Sequence, residues 1–398
     1  MDFFDSSYYT VQKALLIGCG AWPFQKKNCK HLILRIIFLN GPVFFILLPE
    51  AINLLKSFQG FDYIMACLPL ISGSVMGLFK AYVLYFNADS VKILFKELRR
   101  DWEYYAHVED EYSIIKKYAK AGRLSTISYA GSIQIVIMVY LASCCVSPVL
   151  DIVLPLNESR PRTTINPGNL YVHTDSYFFV IILMEWYGMA TASYLIYTFD
   201  SLYMTFMLHT CGMFAALSDR LQKLKMNDFH KKEYKLAKNP DEMIYLHLIN
   251  CIKLHLRCIK FAERLNSTFN LPFIVDLFFG ALIAIASAVQ FVISINDYDQ
   301  RLKYGMLYST QTMRIFVTSF PGQLLIDHSN YVNVAAYNNE WYEFPEKSKQ
   351  LLLIFLMRSV QPTEFVVAKM FTMNTDLFNK ISRACISYCT VMLSVQNS

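Results

Sequence analysis

Apolar residues gather into long runs separated by polar stretches, and the runs recur along the whole chain. They cover Leu32–Leu55, Tyr63–Phe86, Leu124–Val146, Tyr177–Leu208, Leu271–Ile295, Tyr304–Ala336 and Thr375–Val395. Each reaches the ~20 residues an α-helix needs to cross a bilayer core. The sixth contains Gln311, Thr312, Arg314, Ser319 and Asp327, so it reads as a helix packed among neighbours rather than facing lipid. The seventh is only weakly apolar. The pattern predicts an all-α polytopic membrane protein, one domain over 1–398 with seven transmembrane helices.

Two helices run past the membrane. From Tyr177 the helical pattern continues to Leu217, about 60 Å at ~1.5 Å per residue against a ~30 Å hydrocarbon core. A return helix starts at Asn239 as N-cap, with Pro240 at its first position and Asp241 and Glu242 in its first turn. Its stripe Tyr245, Ile249, Ile252, Leu256 and Ile259 lies beside Lys253, Arg257, Lys260 and Arg264. Such a stripe must be buried, and the extended fourth helix and the Pro345–Met373 region are its expected partners. Residues 209–264 and 337–373 together predict a helical layer outside the membrane. Pro345–Arg358 reads as a short helix there, and Asn374 to Asp376 break helical character before a last helix over 375–396.

Charge orients the chain. Lys13, Lys26, Lys27, Lys30 and Arg35 lie in the N-terminal arm, and eleven Lys or Arg lie between Arg220 and Arg264. The opposite loops hold only Lys56, Arg160, Arg162, Arg301 and Lys303. That bias predicts a cytoplasmic N-terminus and an extracellular C-terminus. It places the acceptor triplet Asn157-Glu158-Ser159 outside, where glycosylation occurs; Asn266-Ser267-Thr268 also matches, but inside. The orientation is the reverse of a G-protein-coupled receptor, and no Asp-Arg-Tyr follows the third segment.

Composition excludes catalysis more than it indicates a chemistry. Apolar residues make up 55% and charged residues 17% of the chain. The ten cysteines are scattered through apolar segments, with none in the long outer loop, so no loop disulfide framework is expected. No cleavable signal peptide is read in Met1–Lys30. No His-Glu-x-x-His, phosphate loop or Gly-x-Ser-x-Gly occurs, and His247 and His255 stand too far apart along a helix to share a metal. No enzyme activity, cofactor, metal site or nucleic-acid partner is expected.

The last third carries a resemblance. In order come Gly322-Gln323-Leu324, Asp327-His328-Ser329, Val332, Ala335-Ala336-Tyr337, Trp341-Tyr342 with Pro345, Arg358-Ser359 with Pro362, Lys369-Met370-Phe371, and Ser387-Tyr388. This series resembles the insect odorant receptors. The resemblance implies an odorant-gated, non-selective cation channel in the plasma membrane of olfactory sensory neurons. It implies small volatile or apolar odorants as ligands, and a hetero-oligomer, a tetramer, with a co-receptor subunit. The long second inner loop of the co-receptor is missing here, which implies the ligand-tuning subunit. A homomeric channel like a gustatory receptor is the other reading.

The resemblance also assigns parts. The layer at 209–264 and 337–373 becomes an anchor domain, with Trp341, Tyr342 and Pro345 as anchor residues; such aromatics also form interfacial belts. The last helix lines the pore. Tyr388, Val391 and Val395 share one face, with Ser394 close by. Val391 and Val395 match the family's hydrophobic gate, and Ser394 stands where the co-receptor has Gln. The same stripe would serve plain packing. No Asp or Glu ring occurs in this helix, which argues against strong divalent selectivity.

A ligand pocket is expected in the outer half of helices two, three, four and six. Its candidates are Ser72, Val75, Met76 and Phe79; Ile137, Met138 and Leu141; Ile182, Trp186 and Met189; and Tyr304, Tyr308 and Gln311. Apolar walls with few polar groups suit small ligands, though each residue alone fits ordinary core. Glu185 inside the fourth segment is costly unless paired. Arg314 and Lys80 are its expected partners, with Lys80 alternatively reaching toward the cytoplasmic face.

Overall fold

A computed structural model of the chain describes residues 3–25, 29–56, 60–154, 160, 162, 164–166, 174–224, 240–294 and 298–396. In chain order the helices are α1 (Thr10–Gly18), α2 (Cys29–Pro42), α3 (Leu48–Lys56), α4 (Phe61–Phe86), α5 (Ala88–Tyr105) and α6 (Glu109–Val153). They continue with α7 (Thr174–Gln222), α8 (Pro240–Ile293), α9 (Tyr298–Tyr337), α10 (Glu346–Ser359) and α11 (Thr375–Gln396). A two-stranded antiparallel ribbon, β1 (Val366–Val367) and β2 (Phe371–Thr372), precedes α11.

The spans are longer and more continuous than the apolar runs alone indicate. The first run is α2 and α3 joined through a π turn at Val43–Leu47. Pro42 precedes that turn and has no N–H to give to the helix. The third run is the middle of α6. The return helix and the fifth run are one 54-residue helix, α8, with Pro272 inside it. The stretches α2–α3, α4, α6, α7 and α8 are each long and apolar enough to cross a membrane. Helix α9 carries too many polar residues for that criterion and buries them instead: Gln311, Arg314, Thr318 and Ser319 are all buried. Helix α11 leans on α8 and α9.

Helix α7 is the central post, packed against α2, α4, α6, α8 and α9. From Leu202 to Phe214 every residue is buried. Its rings interlock with those of α8 and of the segment before β1: Tyr203 lies 4.5 Å from Phe273 and 5.1 Å from Phe365, and Phe199 lies 5.1 Å from Phe269. Aromatic contacts of this kind add to the stabilisation by burial.

Long helices leave a second layer beyond the spans. Helix α5 belongs to it, an amphipathic helix that lies outside the apolar runs. Its buried face is Val91, Leu94, Phe95, Leu98, Asp101, Trp102 and Tyr105. Charges inside this layer are paired. Asp101 meets His209 at 3.0 Å and also contacts Arg257. Arg220 forks onto Glu111 at 2.6 and 2.7 Å and donates to the Tyr104 hydroxyl at 3.0 Å. Helix α10 covers the return helix, with the Phe355 ring 5.0 Å from His255.

The β-ribbon is a correction to a purely helical layer at 337–373. Ala368 and Lys369 both take positive φ, 54° and 56°, and the Met370 N–H closes the turn onto the Val367 carbonyl. Two left-handed residues in a row are the geometry of a tight hairpin. Asn270 of α8 fixes it by donating to the Val366 carbonyl at 2.7 Å and accepting from the Ala368 N–H at 3.3 Å. Gly322 of α9 lies against the Met373 carbonyl so closely that any Cβ would collide with it. This contact gives Gly322 of the motif series a physical reason.

Burial in the second layer pushes the His247 and His255 imidazoles down to about 4, aided by the nearby Arg220 and Arg358 charges respectively. Both rings are therefore neutral in the fold, while in the unfolded chain they protonate near pH 6.5. Their contribution to stability is complete above about pH 6.5 and is lost progressively as pH falls toward 4. Thermal melting of the detergent-solubilised chain should show a falling midpoint across that window, and His255→Phe should flatten the slope.

Candidate functional site

A cavity of about 130 Å³ lies between α4, α6, α7 and α9, with Ile46 of the π turn and Ile283 of α8 also lining it. Small residues open it: Gly73 and Ser74 on α4 face Ala192 and Ser193 on α7. One turn further along, α4 presses on α7 so closely that a Cβ on Gly77 would sit 2.9 Å from the Ala192 carbonyl oxygen. The α6 wall is Ile133, Val136, Ile137 and Tyr140, and the α9 wall is Leu307, Thr310, Gln311 and Arg314. Both sets step by three and four, the spacing of one helix face.

Of the residues singled out in the sequence, Met76, Ile137, Met189 and Gln311 line this cavity. Ser72, Ile182 and Tyr304 are buried nearby without lining it, and Trp186 is partly buried. Val75, Phe79, Leu141 and Tyr308 are half-buried off its wall. Met138 is 53% exposed and points away. It lies about 100° beyond Ile137 and about 200° from Val136 around the helix, on the side away from the wall that those two share with Ile133 and Tyr140.

Beneath the cavity is a cluster of buried charges. Lys80 lies 2.5 Å from Asp200 and 2.6 Å from Asp276. Arg314 Nη1 reaches both Asp276 oxygens at 2.7 Å and stands 3.9 Å from Asp200. The Tyr129 hydroxyl donates to Asp200 at 2.9 Å. Gln311 accepts from Arg314 Nε at 3.1 Å and donates to the Gly280 carbonyl at 3.0 Å. The four charged side chains are each no more than 4% exposed. They come from α4, α7, α8 and α9, and two cations balance two carboxylates. Buried charges persist only when paired and hydrogen-bonded in this way.

Lys80 and Arg314 are thus not the partners of Glu185, and Lys80 does not extend to an interface. Asp200 and Asp276 hold both cations. Glu185, fully buried, instead accepts backbone N–H groups of Ile165 at 2.8 Å and Asn166 at 3.4 Å. It closes the outer-loop end of the bundle. Asp200 and Asp276 went unread in the sequence, although a carboxylate inside an apolar run is itself a signal.

Helix α11 begins beside α9. Thr375 donates to Gln323 at 3.2 Å, and the Phe378 ring stands 5.4 Å from Phe316. Leu377 and Cys385 are its buried side chains among the described residues. Arg383, Ser387, Thr390 and Ser394, spaced four-three-four, are all exposed. Tyr388 and Val391 are exposed beside them, at 56% and 53%. Val395 lies in the helix, with its side chain outside the described residues, as is Asn157. Trp341 and Tyr342 form a 3-10 turn and face outward, 38% and 62% exposed, with Pro345 half-buried; the neighbouring Phe344 turns in.

The sequence profile of the 7tm Odorant receptor family matches residues 61–386. The chain belongs to that family. The receptor is 23% identical to Odorant receptor Or2 of Anopheles gambiae over 364 residues, 84% of this chain and 92% of that one. It is 27% identical to Odorant receptor 10 of Aedes albopictus over 154 residues, 38% of this chain and 40% of that one. Its fold is that of the insect olfactory receptor OR5 from Machilis hrabei, solved in complex with eugenol: the TM-score is 0.75 at 14% identity, covering 97% of each chain. The receptor is a helical membrane protein of a family of receptors, not of enzymes.

Proposed function

We propose that the receptor is the ligand-tuning subunit of an odorant-gated, non-selective cation channel. It assembles with a co-receptor as a heterotetramer in the plasma membrane of olfactory sensory neurons. The observation that carries this reading is the exposed polar stripe of α11. Thr390 and Ser394 donate to the Ser387 and Val391 carbonyls of their own helix, but the stripe they form with Ser387 and the charged Arg383 suits a water-filled path between subunits better than lipid. Tyr388, Val391 and Val395 border that stripe as the hydrophobic constriction.

The remaining parts fit the same scheme. The exposed Leu353, Ile354 and Met357 of α10, with Tyr342 and Trp341, form an apolar face in the cytoplasmic layer. Large exposed apolar patches are covered by partners, here the other subunits of the anchor. The Lys and Arg bias sets this layer in the cytoplasm, with the C-terminus outside. The cavity is the odorant site, and the fold is shared with a receptor solved with eugenol. An odorant that binds the open state more tightly shifts the equilibrium toward it. The shift passes from α9, which lines the cavity, to α11 through Gln323 and Thr375.

Ser394→Cys, made in a Cys389→Ser background and co-expressed with the co-receptor, tests the stripe. Adding a small charged thiol reagent during odorant stimulation is expected to reduce the current several-fold, and the parent without Ser394→Cys should be unaffected. Unchanged current after verified modification contradicts the pore assignment.

A further inference from the structure

We propose that the cavity selects neutral odorants carrying a hydrogen-bond-accepting oxygen over hydrocarbons of the same shape, with Arg314 and Ser74 as the donors. This rests on the reading of the cavity as the odorant site and adds the ligand class. Most polar groups on the cavity wall are already committed. Ser193 donates to the Met189 carbonyl at 2.8 Å and Thr310 to the Met306 carbonyl at 2.7 Å. The amide of Gln311 is held between Gly280 and Arg314.

Besides the Tyr140 hydroxyl, two donors on the wall are fully enclosed and without a partner among the described residues. Arg314 uses Nε on Gln311 and Nη1 on Asp276, but its Nη2 is buried with no partner among the described residues. Gly280 leaves it room, since a Cβ there would come within 2.8 Å of Nη2. The hydroxyl of Ser74, on the cavity wall, is likewise buried without a partner among the described residues. A buried donor left unsatisfied is costly, and one on a charged group more so. A bound water would relieve that cost, and a ligand that displaces the water must supply an acceptor in its place.

Charge and size narrow the class. Lys80 and Arg314 are already balanced by Asp200 and Asp276, so a carboxylate ligand would bring an uncompensated charge into a low-dielectric site. The acceptor is therefore neutral: a ketone, aldehyde, ester, ether or alcohol. A volume of about 130 Å³ is near that of a ~150 Å³ protein cavity that accepts benzene. The ligand is thus a single small ring or a short chain.

Matched probes test this on cells co-expressing the receptor and co-receptor. Anisole is compared with ethylbenzene, and heptan-2-one with heptane and with heptanoate. The oxygenated neutral member of each set is expected to act at concentrations about 10- to 100-fold lower, the ratio set by one hydrogen bond to a charged donor. Ser74→Ala should narrow that ratio about 3- to 10-fold, partly by strengthening the hydrocarbon response, because no unsatisfied hydroxyl is then left facing the hydrocarbon. It removes one hydroxyl and leaves the charge cluster intact, so folding is not at stake. Equal potency within pairs, stronger responses to heptanoate, or no response to either oxygenated neutral compound overturns the proposal. Ile196→Trp, which fills the cavity from an apolar wall, separates this from the parent reading. If it abolishes responses while the pairs are equipotent, only the ligand class is wrong. If it leaves responses intact at normal surface expression, the cavity is not the odorant site and the proposal falls with it.

Discussion

Asp276→Leu is expected to remove most of the receptor from the cell surface, and adding Arg314→Met is expected to restore much of it. The single substitution leaves Lys80 and Arg314, both within 4% of complete burial, facing Asp200 alone. One positive charge is then uncompensated in the bundle interior. Breaking a buried pair in this way costs about 3–5 kcal/mol, a large part of the ~5–15 kcal/mol that holds a typical fold. The double variant removes the matching cation and leaves Lys80 paired with Asp200. Replacing a whole buried pair by apolar side chains of similar volume is close to neutral. Surface biotinylation reads both. A single variant at parental surface level, or a double variant no better than the single, contradicts the account of the cluster. A rescued double variant should also show a weaker preference for oxygenated ligands, because it lacks the Arg314 donor and keeps only that of Ser74.

The second large effect belongs to α11. Val391→Ala and Val395→Ala, alone and together, are expected to raise current in the absence of odorant. On the proposed pore assignment, valines contributed around the pore would narrow the path and shed water when closed. Trimming each to alanine would widen the path and favour the wetted state. A shift of about 1 kcal/mol toward the open state multiplies the open-to-closed ratio about fivefold. Basal whole-cell current at matched surface expression measures it. Silence of both substitutions, alone and combined, contradicts the gate assignment and leaves the stripe as packing.

The apolar runs made the spanning helices legible because length and a helical period are local properties. Continuity was not local. Asn266-Ser267-Thr268 and Pro272 look like a break between the return helix and the fifth span, yet α8 passes through both. Thr268 donates to the Arg264 carbonyl at 2.9 Å, so its hydroxyl supports the helix rather than ending it. Asn270 serves the ribbon before α11 and needs no break of its own. Helix α5 was hidden because its stripe is mixed: buried Asp101 sits in it, made tolerable only by His209 and Arg257 from two other helices.

The candidate site was legible by helix but not by face. Ile137 and Met138 are adjacent in sequence, but the wall is centred on Ile133, Val136, Ile137 and Tyr140, so Ile137 lies on it and Met138 does not. The charge cluster was hidden for a different reason. Lys80 and Asp200 are 120 positions apart, and Arg314 and Asp276 are 38 apart. Read locally, Lys80 and Arg314 point to Glu185 as their partner, and Asp200 and Asp276 pass unread. Glu185 draws attention as a carboxylate inside an apolar run, but its partners are the backbone N–H groups of Ile165 and Asn166, which no side-chain pairing argument reaches.

The most direct measurement of the central claim is whole-cell current in cells expressing the receptor with and without the co-receptor, against a broad panel of small odorants, with G-protein signalling blocked. The account predicts an odorant-evoked cation current only when both subunits are present, untouched by the block. Current from the receptor alone, or a response that disappears with the block, would contradict it.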